Sequence, residues 1–330
     1  MKLRDIISCI VIAFLAFPLA LAQGITINVL ETYDAPGGAG TQTRPQKIND
    51  SNNIAGIYLD TAGVSRGFYR FADGTFRDPP IVEPNDTGNL TEARCNDNRD
   101  MIGGDYSTSD GVFHGFFLKG NRYQEFDISS AFTIVLGLNN RGSAGSYIDD
   151  STGIQSGFTD LGGTVTPVVV PGAAATLVYG INSSNAICGY TTDASAVTHG
   201  FYVDRRGRLQ SPIDPAGSNG TILFAINDKN WMVGRYADFS GITHAFLLIP
   251  PAQFTIFDYP GSTFTSFNGI NKNGFISGRY TDSSGIDHGF LAKANGAADD
   301  GATEINIQSS RLPARPANQS AAPRLVIPAM

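Results

Sequence analysis

Apolar and polar positions alternate along most of the chain in short runs, each ending in a cluster of Gly, Asn and Asp. The stretch from Phe267 onward shows the grammar. Phe267-Asn268-Gly269-Ile270-Asn271 reads as a strand and Lys272-Asn273-Gly274 as a tight turn. Residues 275–281 form a second strand, Asp282-Ser283-Ser284-Gly285 a second turn, and residues 286–293 a third strand. In the preceding unit a fourth strand follows, at 253–259, and stops at Pro260-Gly261. Period-two alternation broken by turn formers predicts antiparallel hairpins and leaves no place for helices.

The pattern repeats. Asn49, Asn96, Asn139, Asn182, Asn227 and Asn271 stand 43 to 47 residues apart, and each follows an apolar residue or a cysteine. Four strands in about 44 residues make one propeller blade. A hairpin register follows from the turns. Tyr280 faces His288 and Gly278 faces Phe290; the same offsets pair Tyr58 with Arg66, Tyr106 with His114, Thr191 with His199 and Tyr236 with His244. They also set Gly56, Gly104, Gly189 and Gly234 opposite Phe68, Phe116, Phe201 and Phe246. A glycine there lets the ring lie across its backbone. The third unit is irregular around Gly145 to Phe158, where the register stays open by one residue.

The sixth unit has only three strands. Residues 25–34, leading into Ala35-Pro36-Gly37, resemble the fourth strand Phe254-Thr255-Ile256-Phe257-Asp258-Tyr259 with its Pro260-Gly261. The N-terminal segment is therefore expected to complete the last blade, removing the open edges that invite aggregation. The prediction is an all-β, six-bladed propeller of four-stranded antiparallel blades, closed by the N-terminal strand.

Residues 1–22 read as an export signal: Lys2 and Arg4, an apolar stretch from Ile6 to Phe17, then Ala20-Leu21-Ala22 before Gln23. The propeller would occupy 23–296. Residues 297–330, rich in Ala, Pro, Gly, Ser and Gln, read as a disordered tail with a short extended piece at Leu325-Val326-Ile327. No other segment is long and apolar enough to span a bilayer, so the expected location is outside the cytoplasm, secreted or periplasmic. A formal charge of −7 without a basic cluster argues against nucleic acid as a partner. Cys9 leaves with the signal; Cys95 and Cys188 occupy different repeat positions and read as two buried thiols.

The units resemble the bacterial HAF-family extracellular repeat, named for a His-Ala-Phe signature. His244-Ala245-Phe246 matches it, and His114-Gly115-Phe116, His199-Gly200-Phe201 and His288-Gly289-Phe290 match with glycine in the middle. The family's Ile-Asn-x-x-Gly turn appears as Ile270-Asn271-Lys272-Asn273-Gly274, while Arg66-Gly67-Phe68 and Ser156-Gly157-Phe158 depart from the signature. The resemblance covers about residues 45–296 and implies an exported bacterial protein without a defined activity.

All four histidines, His114, His199, His244 and His288, fall at one repeat position. A metal ring is opposed by geometry, because the third strand of a blade lies well away from the axis. These histidines are expected to pack between blades and bond a neighbouring backbone or hydroxyl group. The six asparagines likewise read as architecture. So do the Asp-x-x-Gly turns at Asp60, Asp150, Asp238 and Asp282, since each offers a single carboxylate where calcium needs several oxygens. There is no Gly-x-Ser-x-Gly elbow, phosphate loop, His-Glu-x-x-His, Cys-x-x-Cys or sialidase-type Asp box. No metal or other cofactor is expected. A site, if present, should lie where symmetry breaks: Arg66 and the 78–90 excursion, or Arg205-Arg206-Gly207-Arg208. The function expected is a non-catalytic scaffold binding a protein or glycan. A channel-mouth hydrolase or lyase and a structural surface component are the alternatives.

Overall fold

The computed structural model describes residues 24–36, 42–60 and 62–295, with the backbone of Ser310–Arg311. The expected signal segment, and the tail apart from that dipeptide, lie outside the described residues. Blades two to five are regular antiparallel ladders. Blade two holds Thr91–Asn96, Met101–Ser107, Phe113–Lys119 and Arg122–Phe126. Blade three holds Thr133–Asn139, Gly142–Ile148, Gln155–Leu161 and Thr164–Val168. Blade four holds Ala175–Ile181, Ile187–Thr192, Thr198–Val203 and Arg208–Ile213, and Ser310–Arg311 pairs with its outer edge. Blade five holds Ser218–Ile226, Met232–Asp238, Thr243–Ile249 and Gln253–Phe257. Blade one has Gln42–Ile48, Ile54–Leu59 and Ser65–Arg70; its outer strand shrinks to the bridges Arg70–Phe76 and Gly67–Ile81. Pro79 and Pro80 lie between those bridges and bring no N–H to a ladder.

Blade six joins Phe264–Ile270, Phe275–Thr281 and Asp287–Asn295 to the N-terminal strand Thr26–Tyr33. That strand runs antiparallel to Asp287–Asn295, from Thr26 opposite Asn295 to Tyr33 opposite Gly289, with a bulge between Val29 and Glu31. It is tied to blade one as well. The Arg70 guanidinium donates to both carboxylate oxygens of Glu31 at 2.9 Å and lies over the Tyr33 ring. The first strands of successive blades touch one another, and that of blade six touches that of blade one. The fold is thus a closed six-bladed propeller of antiparallel blades sealed by the N-terminal strand.

The apolar core is divided into six clusters, one between each pair of neighbouring blades. At the centre of each sits the phenylalanine of the repeat: Phe68, Phe116, Phe158, Phe201, Phe246 or Phe290, all at most 2% exposed. Burying one such ring stabilises by roughly 1.5–3 kcal/mol. The predicted hairpin register holds throughout, and in blade three Gly145 faces Phe158 in a regular ladder. The pairing glycine meets more than the ring. A Cβ on Gly278 would lie 2.7 Å both from Phe290 Cε2 and from the Ser266 carbonyl oxygen. The second contact arises because a bulge in each first strand, Phe267 to Gly269 in blade six, brings a carbonyl over the glycine.

One mouth of the propeller is ringed by the turns between first and second strands. In blade four, Asn182 Oδ1 accepts the N–H groups of Ser184 and Ala186, while Asn185 takes φ 62°. Asparagine tolerates that left-handed conformation better than most residues. The free amide of each anchor then reaches the next blade: Asn139 to Asn182 O, Asn182 to Asn227 O, Asn227 to Asn271 O and Asn271 to Asn49 O, at 2.8–3.1 Å. Asn49 continues to Asp97 O and Asp100 Oδ1. Blade two differs from the sequence reading. Its turn is organised by Asp97, whose Oδ1 accepts from Arg99 and Met101, and Asn96 instead points back to Asn53 O. A carboxylate accepts but does not donate, so the relay has a gap between blades two and three.

Candidate functional site

The histidines do not bond backbone or hydroxyl groups as their main partners; each is clasped by carboxylates. Nδ1 of His114, His199, His244 and His288 lies 2.7–2.8 Å from Asp127, Asp214, Asp258 and Asp34, each following a fourth strand. Nε2 faces the second-to-third-strand turn: Asp193, Asp238 or Asp282 at 3.3–3.5 Å, and the Thr108 hydroxyl in blade two. Tyr106, Tyr236 and Tyr280 stack on their facing imidazoles. Arg66 takes the position in blade one, 3.9 Å from both Asp60 and Asp86. In blades one, four, five and six a basic side chain thus sits between two acids, in blade two between an acid and a hydroxyl, and it pins the blade's edge to its own turn.

That device has a pH signature. The bond to Asp214 raises the pKa of His199; at His288 burial opposes the charge, and the bonds to Asp34 and Asp282 outweigh it. A pKa raised by folding contributes stability that is complete below about 6.5 and lost as pH rises through the folded value. Thermal midpoints should fall with rising pH in the window just above about pH 6.5, each partly exposed histidine contributing less than about 1 kcal/mol. His199→Gln with His288→Gln should flatten the slope; an unchanged slope would refute the assignment. Lys47, pushed down to about 8 by burial, acts with opposite sign above that window.

The other residues noted in the sequence are used locally. Asp60, Asp238 and Asp282 accept N–H groups of their own turns. In blade three Asp149 has this role rather than Asp150, which reaches Ser130 instead. The 78–90 excursion folds back through Asp86, which accepts from Leu90 N and Thr91 Oγ1. Arg208 pairs with Asp204 across the basic turn. Cys95 and Cys188 are buried free thiols, pushed up to about 12 by burial. Among the described residues no group of three or more His, Cys, Asp or Glu could hold a metal ion, and no helix is long and apolar enough to cross a membrane.

Symmetry breaks most strongly inside the ring, at two positions that the sequence reading did not single out. One follows the pairing glycine: Ile57, Asp105, Ser146, Tyr190, Arg235 and Arg279. The other lies on the first strands, three residues before the side chain that organises each turn, which is Asp97 in blade two: Gln46, Arg94, Leu136, Tyr179, Phe224 and Asn268. Lys47 of blade one has its ammonium 5.6 Å from the Tyr179 ring of blade four, the opposite blade, and donates to Asn268 O. The Lys47 side chain thus reaches across the axis of the ring.

Near the starts of the first strands, at the mouth away from the asparagine relay, cations meet aromatic rings. Asp287 accepts from Arg44, Arg279 and the Thr281 hydroxyl, each at 2.7 Å. Arg94 is paired with Asp105 and Glu92. Arg279 lies 4.5 Å from the Phe264 centroid, and burial, with Arg235 and Arg44 nearby, pushes its guanidinium down to about 10. Arg235 differs from the others. It lies 5.1 Å from the Phe264 centroid and 5.4 Å from that of Phe224. Among the described residues it has no hydrogen bond or ion pair, and none of its nitrogens is sealed from solvent. The Tyr179 and Tyr190 rings stand beside it, 5.8 Å apart. The signal available in the sequence was the doubled Gly-Arg-Tyr of Gly234-Arg235-Tyr236 and Gly278-Arg279-Tyr280.

No protein-family model matches the chain, and no curated protein matches it. Solved structures match its shape. A mutant of AofleA from Arthrobotrys oligospora superposes with a TM-score of 0.51 at 9% identity, over 84% of this chain and 91% of that one. A Burkholderia pseudomallei lectin gives 0.49 at 14% identity, over 81% and 89%. The six-bladed fucose-recognising lectin of Aleuria aurantia gives 0.48 at 12%, over 82% and 91%. At these identities the likeness is one of fold alone.

Proposed function

We propose that this chain is an exported, non-catalytic propeller of the HAF-repeat type that binds a glycan at its channel mouth. The observation that carries the reading is the contrast between two groups of side chains. Every histidine and the carboxylates of Asp287 and Asp105 are engaged in internal pairs, whereas a general acid or base must be free to reach the proton it moves. Arg235 and the rings around it are arranged instead as donors and flat apolar faces, the two elements that a sugar's hydroxyls and ring face require. The lectins that share the fold support the choice of a glycan over a protein. Export rests on the leader and on the likeness to an extracellular repeat.

The test is a glycan array probed with the purified chain, run beside an assay for reducing ends released from the same polysaccharides. Retention of a defined glycan class without bond cleavage is the expected result. Release of reducing ends would replace this reading with the enzyme. Capture of proteins from culture supernatant, with no glycan retained, would replace it with a protein partner.

A further inference from the structure

Arg235 is the structural oddity of the channel. A guanidinium desolvated among side chains ordinarily has a carboxylate beside it, because an unpaired charge away from water is costly. Here the local balance runs the other way. Arg44, Arg235 and Arg279 gather around one acid, Asp287, whose oxygens are already taken by two of the arginines and a threonine. The mouth is therefore a cationic spot on a chain of formal charge −7. Rings hold the Arg235 side chain, so its N–H fork stays available to a partner. The hydroxyls of Tyr179 and Tyr190 also have no partner among the described residues and are not sealed from solvent. Burial lowers the pKa of Arg235, Arg44 adds to this, and Tyr179, Tyr190 and Asp287 offset it only in part.

Resting on the glycan reading above, we infer that the channel mouth selects sugars bearing a carboxylate, the acid group docking on Arg235 and the ring lying against Tyr179 and Tyr190. A planar carboxylate matches a guanidinium fork with two parallel hydrogen bonds. It also relieves the repulsion among the three arginines, which a neutral sugar does not do. An acidic peptide offers the same carboxylate, but it lacks the rigid pyranose face that a pair of tyrosines complements.

The experiment is calorimetric titration of the whole chain with a hexuronate tetrasaccharide, its carboxyl-reduced neutral counterpart and an oligo-aspartate peptide, at low and high salt. The expected result is binding of the uronate alone, weakened as salt rises. Arg235→Gln should lose at least tenfold in affinity and Arg235→Lys should fall between. Because Arg235 holds no ion pair, Arg235→Gln should melt no lower than the parent, which separates loss of the site from loss of the fold. Equal binding of the neutral counterpart would overturn the carboxylate inference and leave the glycan reading standing. Binding of the peptide alone, or of none of the three, would overturn the inference, and the peptide result would overturn the glycan reading too. Uronate binding unmoved by Arg235→Gln would place the site elsewhere.

Discussion

Deletion of residues 25–34 is expected to leave a chain that self-associates and melts far below the parent, by about 5 kcal/mol or more. Three losses combine. Blade six loses its outer strand, so the whole Asp287–Asn295 edge is left without its antiparallel partner and becomes a template for a second chain. The apolar cluster between blades five and six loses Ile25, Ile27 and Val29. Arg70, with a side chain only 4% exposed, loses Glu31 and the Tyr33 ring. Glu31 is itself 40% exposed, so its loss costs less than the about 3–5 kcal/mol of a fully buried pair, but two of the Arg70 nitrogens already lack acceptors. Light scattering after size exclusion and a urea melt read the outcome. A synthetic peptide of residues 24–36 should restore the monomer when added in trans. A deleted chain that stays monomeric and melts with the parent would mean that the strand is an accessory rather than the clasp.

Gly278→Val should destabilise by about 3 kcal/mol, measured by urea unfolding. The new Cβ meets the Phe290 ring and the Ser266 carbonyl at once. The ring is fully buried and has nowhere to turn, and the carbonyl is fixed by the bulge in its strand. The two contacts can be separated. Combining the change with Phe290→Leu makes room on the ring side only, so recovery should be partial; full recovery would show that the bulge carbonyl yields. Gly24→Val is the control, with no atom within 4 Å of the added carbon, and should be close to neutral.

Most of this architecture was legible in the amino-acid order because it depends on residue pairs at fixed offsets. A glycine twelve residues before a phenylalanine, as in Gly278 and Phe290, can be aligned by eye, and pleat geometry then sets every other pair. The N-terminal strand was legible because 25–34 ends in Tyr33-Asp34 as 253–259 ends in Asp258-Tyr259. What was missed depended on geometry that residue type does not carry. Asn96 resembles its counterparts, but the turn needs a side-chain oxygen one residue later, and Asp97 supplies it. The histidine clasp was legible only in half: the imidazoles share a repeat position, whereas their acids lie 13 to 15 residues away within a blade, or 254 residues away for Asp34. The channel was hidden more deeply. Arg235, Phe264 and Tyr179 come from three different blades, and only curvature of the whole ring brings them together.

The position of the closing strand also sets the order of events when the chain is made. Thr26 meets Asn295 at a sequence separation of 269 residues, so the earliest part of the propeller to be synthesised is the last to find its place. Until residue 295 has been made, the first strand has no edge to join, and blade one lacks the acid that answers Arg70. Long-range pairing of this kind makes folding slow and late. Closure of the ring thus waits for residue 295, whereas blades two to five pair strands that are neighbours in sequence.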